Sequence, residues 1–211
     1  SDTLKYLSIS FSNIHNYNFI SNFKELENLT LVGNEAVIND INWLKHNRKI
    51  TYLNLSGGNL ENLSSLLLLE HLQDLSLRHL KIGNVKQIGK LTELKKLDLS
   101  NNTIEDVSPI KTLINLVMLD LNNNKQIENI GPLKTLIKLK SINLQQTRVK
   151  DVSPLSALTE LENINIEYTK VTDISSLKTL SKIQNISVLK KYLSSCSPKD
   201  TEELRSKKDK C

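Results

Sequence analysis

The sequence predicts an α/β-type repeat solenoid: a curved horseshoe with a parallel concave β-sheet and mostly 3₁₀ or extended segments on its convex side. Three observations predict it. A leucine pattern recurs at a nearly constant step along almost the whole chain. Each copy holds a short run of alternating apolar and polar residues followed by a turn position, often asparagine. The composition calls for an aliphatic core, because 38% of the 211 residues are hydrophobic but only 4% are aromatic.

The copies align on their first apolar residue. "LKYLSISFS" begins at Leu4, "LENLTLVGN" at Leu26, "ITYLNLSGG" at Ile50, "LQDLSLRHL" at Leu72 and "LKKLDLSNN" at Leu94. "LVMLDLNNN" begins at Leu116, "LKSINLQQT" at Leu139, "LENINIEYT" at Leu161 and "IQNISVLKK" at Ile183. The step is 22 residues, except for 24 after Leu26 and 23 after Leu116. A fixed period in this range marks a stack of supersecondary units, none of which can bury its apolar face alone.

Within each unit, x-x-L-x-L reads as a short strand, because side chains alternate between the two faces of a strand. Leu97 and Leu99 point inward, and Lys96, Asp98 and Ser100 point outward. Leucines on the return segment, such as Leu113, Leu136, Leu158 and Leu180, close the opposite wall. Pro109, Pro132 and Pro154 suit the start of a short extended or 3₁₀ return, since proline fixes φ and lacks a donor. The return is wider than the strand side, so the sheet should line a concave surface.

The turn after each strand needs polar groups. A buried turn leaves backbone donors and acceptors unpaired, and an amide side chain can serve both. Asn34, Asn102 and Asn124 hold this place, while Thr147, Thr169 and Ser12 can do half the work with a hydroxyl. Gly58, Leu80 and Lys191 depart from the pattern, and Leu80 predicts local irregularity around "RHLKIGN". Two units are longer, over 34–41 and 122–130, with the extra residues just past the strand, where a bulge would project from one rim.

The pattern resembles the leucine-rich-repeat family, L-x-x-L-x-L-x-x-N, from Leu4 to about Leu193. "IEDVSPIKTL" at Ile104, "VKDVSPLSAL" at Val149 and "VTDISSLKTL" at Val171 fit I-x-D-I-x-P-L-x-x-L. That is similar to the 22-residue class of bacterial internalins and of the intracellular phosphatase regulator SDS22. The expected organisation is a solenoid of about nine repeats over 1–193 and a C-terminal cap or tail over 194–211.

Both ends depart from a capped solenoid. No polar cap precedes Leu4, so an upstream continuation or a removed cap is expected, with a partner covering this end as the alternative. At the other end, Ser197 and Pro198 suit a helix start, and Glu202, Glu203, Lys207 and Lys208 suit its dipole. Leu204 is the sole clear apolar residue there, so a capping helix and a disordered tail are both open. Cysteine-bounded caps occur in extracellular members of the resembled family, which makes a Cys196–Cys211 disulfide one option. A buried Cys196 with a free terminal thiol is the other.

Several function classes find no support. The net charge is +5, with charges interspersed until the last dozen residues and no basic run interleaved with aromatics, so no nucleic-acid partner is expected. No apolar run approaches the roughly 18 residues of a membrane span, so no membrane insertion is expected. The histidines, His15, His46, His71 and His79, form no ligand spacing. His79, near Arg78 and Asp74 on an outward strand position, lacks the closed pocket that acid–base work needs. "SGGN" at Ser56 lacks a phosphate loop's lysine and helix. Asp98 and Asp120 face each other across neighbouring strands but read as solvated, flanked by Ser76 and Asn143. No catalytic residue, metal or cofactor is expected. Sequons at Asn28, Asn54, Asn62, Asn101 and Asn185 would mostly put glycans on the concave face, and they read as unmodified.

What remains is a binding surface. Outward strand positions carry Tyr6, Phe11, Val32 and Tyr52 near the N-terminal end, Arg78, His79, Lys95, Lys96 and Met118 in the middle, and Tyr168 near the far end. Exposed aromatics and arginine dominate interface energetics, and rigid strands lose little entropy on docking. Tyr6, Phe11 and Tyr52 form the preferred cluster. The internalin resemblance implies a monomeric, secreted or surface-attached bacterial protein that binds a protein ligand on its concave face. The SDS22 resemblance implies a cytoplasmic regulator of a phosphatase or other enzyme. A third expectation is the substrate-recruiting arm of a larger enzyme.

Overall fold

In the computed structural model, residues 3–10, 14, 16–33, 41–60 and 62–189 are described. They form nine strands: β1 (Tyr6–Ser10), β2 (Asn28–Val32), β3 (Tyr52–Ser56), β4 (Asp74–Arg78), β5 (Lys96–Asp98), β6 (Met118–Asp120), β7 (Ser141–Asn143), β8 (Asn163–Asn165) and β9 (Asn185–Ser187). All lie in one sheet in sequence order, and every pairing is parallel and in repeat register. The solenoid expected from the leucine period is therefore present. One inward row runs Leu7, Leu29, Leu53, Leu75, Leu97, Leu119, Ile142, Ile164 and Ile186. Its interior members are buried, while Leu7 and Ile186, on the two edge strands, are only partly covered. That is the physics of a stack, in which each unit's leucines are covered by its neighbours.

Strand length changes along the rod for a local reason. β1 to β4 have five residues each, and β5 to β8 have three. In the latter group the outward residue at the third strand position is Asp98, Asp120, Asn143 or Asn165. Each side-chain oxygen accepts the N–H two residues on, at 2.9, 2.8, 3.1 and 3.0 Å respectively. Such an Asx turn bends the chain out of the ladder. At the same position the five-residue strands carry Ser8, Thr30, Asn54 and Ser76, and no such turn forms at Asn54, whose Oδ1 accepts no hydrogen bond.

The return side holds short 3₁₀ turns, as expected, including Ser108–Thr112, Gly131–Thr135, Ser153–Ala157 and Ser175–Thr179. Pro109, Pro132 and Pro154 sit at their starts. The aspartate of the I-x-D-I motif prepares each turn: Asp106, Asp151 and Asp173 accept the N–H of Ser108, Ser153 and Ser175, all at 2.8 Å. Those bonds, from the backbone and hydroxyl of Ser108, hold the Asp106 carboxyl below the usual range. Near the N-terminal end the same wall packs Tyr17 against Trp43, ring centroids 5.9 Å apart. The fully buried Asn47 donates to the carbonyls of Ile20 (3.0 Å) and Phe23 (2.8 Å).

The asparagine column performs the structural task its position implies. Asn102 Nδ2 donates to the carbonyls of Leu77 (2.7 Å), Leu99 (2.9 Å) and Ser100 (3.3 Å), while its Oδ1 accepts from the N–H groups of Leu80 (3.1 Å) and Ile82 (3.0 Å). Asn124 repeats the arrangement toward Leu99, Leu121 and Ile104. The hydroxyls of Thr147 and Thr169 each donate one bond, to Leu144 and Ile166, both at 2.7 Å. The irregularity expected at "RHLKIGN" is also present: Lys81 has positive φ, at 56°. Leu80 is fully buried in the asparagine's place, and Asn102 from the next unit satisfies the turn instead. In the second lengthened unit, Lys125 and Gln126 stand exposed between the buried Asn124 and Ile127, on the rim where the bulge was expected. The first lengthened unit, the Asn34 turn, Ser12, His15, the Cys196 and Cys211 thiols and the segment over 194–211 lie outside the described residues.

Candidate functional site

The outward side of the sheet presents residues in rows set by register. The first row reads Tyr6, Asn28, Tyr52, Asp74, Lys96, Met118, Ser141, Asn163 and Asn185. The second reads Ser8, Thr30, Asn54, Ser76, Asp98, Asp120, Asn143, Asn165 and Ser187. A third begins Ser10, Val32, Ser56 and Arg78. The side chains therefore stand on a fixed grid, about 4.8 Å apart across strands.

At the middle of this grid lies a concave hollow of about 330 Å³. In the first row it is lined by Tyr52, Asp74, Lys96, Met118 and Ser141. Two ion pairs cross its floor: Lys96 Nζ to Asp74 Oδ2 at 3.4 Å, and Arg78 Nε to Asp98 Oδ2 at 3.5 Å. Both pairs join adjacent strands, so they reinforce register, but their exposure keeps their energetic worth small. Asp120 stands opposite Asp98 in the next strand, and its Oδ2 accepts from Asn143 Nδ2 at 3.1 Å. Partial burial pushes the Asp120 carboxyl above the usual range. The N–H of Asn122 opposes this, and the Asp98 carboxylate adds to it.

A pH-dependent prediction arises from this pair. Asp120→Asn should fold normally, because Asn143 and Asn165 hold the same turn with an amide oxygen. In the parent, the folded carboxyl lies above the unfolded aspartate value of about 3.9. The stability linked to this group is fully present below the unfolded value and is lost as pH rises through the folded one. Urea titrations between about pH 4 and 7 should show the parent losing stability relative to the variant as pH rises. Parallel profiles for the two proteins would contradict the assignment.

The structure distributes the sequence-expected residues unevenly. Tyr52, Arg78, Lys96 and Met118 share the hollow. Tyr6 is 67% exposed on the edge strand, and Asn28 separates it from Tyr52 in the row. Val32 ends β2, half-buried. Phe11 lies outside the described residues, so Tyr6 and Tyr52 are the described part of the expected aromatic cluster. Two positions differ from the sequence expectation of outward strand residues. His79 follows β4 in a left-handed turn (φ 54°), and Tyr168 lies beyond β8 in the same kind of turn (φ 55°), so both stand on the rim. The β-period was extended past residues where the backbone has already turned. Sequence reasoning also missed the turn-forming role of Asp98 and Asp120, which the recurring Asp/Asn at the third strand position signals.

Among the described residues, no group of three or more His, Cys, Asp or Glu side chains could hold a metal ion, and no helix is long and apolar enough to cross a membrane.

The chain is similar to several solved structures. An internalin (inlF) of Listeria monocytogenes superposes with a TM-score of 0.82 at 24% identity, over 89% of this chain and 54% of that one. Internalin C2 of the same organism gives 0.80 at 29% identity, over 87% of this chain and 80% of that one. A leucine-rich-repeat protein of Leptospira interrogans gives 0.82 at 22% identity, over 100% of this chain and 54% of that one. The chain thus spans about half the length of the first and third of these. No curated protein matches it significantly in sequence. Residues 49–209 match the family model described as a leucine-rich repeat region, and with its nine in-register strands the chain belongs to the leucine-rich-repeat family.

Proposed function

We propose that the chain is a non-enzymatic protein-interaction module that binds a partner protein through its concave face, as a secreted or surface-attached bacterial protein. The observation that carries this reading is the hollow between Tyr52 and Met118. It offers apolar contact from Tyr52 and Met118 and charges of both signs on its floor, all on a rigid parallel sheet. Such a surface fits a protein epitope, whose affinity concentrates in a few anchored side chains within a polar surround. It is open, and its charged groups are engaged with one another or with turns, which suits recognition better than bond chemistry. Tyr6 and Val32 would extend the contact toward the N-terminal end, with His79 at its margin.

The test is a pull-down from host-cell surface extracts and from cytosolic extracts. It compares the parent with a Tyr52→Ala/Arg78→Ala/Met118→Ala variant whose circular dichroism and melting match. The expected result is a surface protein held by the parent and released by the variant. Equal capture by both would remove the concave hollow from the function. A phosphatase captured from cytosol would replace the surface reading with that of an intracellular regulator.

A further inference from the structure

The rim on which the chain leaves the strands carries a feature that concave binding does not use. The backbone takes a left-handed conformation at the same place in successive repeats: Gly33 (67°), Gly57 (82°), His79 (54°), Asn101 (57°), Asn123 (55°), Gln146 (57°) and Tyr168 (55°). Glycine and asparagine accept this conformation readily. A bulky side chain there is an outlier. Tyr168 is also 58% exposed, so burial does not hold its ring in place. An aromatic side chain kept exposed on an unfavourable backbone is the kind of local departure that accompanies function.

Its surroundings indicate which function. Tyr168 lines a shallow dish of about 310 Å³ with Lys125, Gln146, Thr147, Arg148 and Lys170. The three cations come from three successive repeats, and none takes part in the ion pairs formed among the described residues. On the strand-approach rim, by contrast, Lys5, Lys49, Lys140 and Lys182 each meet a glutamate. Lys125, Arg148 and Lys170 each stand two residues past the left-handed position of their repeat, which brings all three to the dish.

We propose that this dish is a second contact site that takes an acidic segment of the protein partner, with an apolar side chain of that segment against the Tyr168 ring. The proposal rests on the reading that the chain binds a protein. One cation per repeat, at a spacing of about 5 Å, matches carboxylates spread along a peptide. A nucleic-acid strand fits less well. It would find a single ring where successive aromatics normally stack its bases. Its phosphates would also meet Glu105, Asp106 and Glu128, which line the adjoining groove beside Arg148. A short acidic segment covers the dish without entering that groove.

The test uses the full chain and fluorescence anisotropy at low salt, with a labelled oligo-glutamate peptide carrying one central leucine. A labelled oligothymidylate of equal charge is the comparison. Saturable binding of the peptide is expected. Lys125→Glu/Arg148→Glu/Lys170→Glu should weaken it by roughly 30-fold. Tyr168→Asn, the residue type that Asn101 and Asn123 place in the same turn, should weaken it roughly fivefold while melting no lower than the parent. Arg78→Glu/Lys96→Glu, on the concave face, should leave it within about twofold. The proposal fails if the parent shows no saturable binding, if the concave reversal rather than the rim reversal abolishes it, or if oligothymidylate binds as tightly. Loss of partner capture by the concave variant alone would leave the proposed function standing and the rim site refuted. Peptide binding on the rim with concave variants fully active in capture would do the reverse.

Discussion

Asn102→Ala should lower the free energy of unfolding by about 3–5 kcal/mol. The side chain is 7% exposed and joins two repeats through five hydrogen bonds. Its removal would take this partner from the Leu77 carbonyl and from the N–H groups of Leu80 and Ile82, while the Leu99 carbonyl keeps Asn124 Nδ2 and the Ser100 carbonyl keeps the His79 N–H. A lost hydrogen bond is modest when both partners go, but a buried group left unpaired carries its full desolvation cost. The neighbourhood raises the stakes, because Leu80 occupies the asparagine's place in its own repeat and relies on Asn102. Thr147→Ala is the internal comparison. It removes one bond, to the Leu144 carbonyl, and should cost about 1 kcal/mol. Chemical denaturation of both variants decides the matter. Equal losses would mean that water enters the Asn102 turn and repairs it.

Gly89→Ala should cost about 3 kcal/mol. Gly89 is buried in the 3₁₀ turn Ile88–Lys90, where an added Cβ would lie 3.0 Å from the carbonyl carbon of Pro109 in the next repeat and closer still to its oxygen. The obstruction is backbone, and the adjacent turn is fixed further because the Thr112 hydroxyl donates to the Gly89 carbonyl. Relief would require two repeats to move apart, which loosens the leucine rows beneath them. Gly83→Ala is the matched control, since its new methyl would meet only Thr103 Oγ1 at 3.5 Å and the Thr103 carbonyl oxygen at 3.8 Å. That variant should be neutral or stabilised by about 0.5 kcal/mol, through the lower entropy of its unfolded chain. Thermal melts that shift equally for the two would rule out close packing between repeats at Gly89.

Both predictions concern contacts between repeats, and this is where sequence and structure divide. A 22-residue step between leucines leaves one economical arrangement, because each apolar row needs the next repeat to cover it. The solenoid, the inward leucines, the proline-initiated turns and the asparagine column were all legible for that reason. The strand ends were not. Alternation suggested that the outward face continues through His79 and Tyr168, whereas both residues take a left-handed backbone, and before Tyr168 the Asn165 side-chain oxygen has already bent the chain away. The motif was visible, but its competition with the sheet ladder depends on geometry.

The candidate sites divide in the same way. The sequence by itself determined which residue types reach the outside: three tyrosines, a methionine and a mixture of charges, at positions counted from the repeat. Only the tertiary structure decided which of them meet. Tyr52 and Met118 lie 66 positions apart in the chain but on strands three apart, and they line one hollow. Lys125, Arg148 and Tyr168 come from successive repeats and meet on the rim because each lies at or just past the left-handed turn of its repeat. The physical reason is that periodic burial is a one-dimensional property, written along the chain, whereas a binding surface depends on the stagger, twist and turns that bring separate repeats side by side.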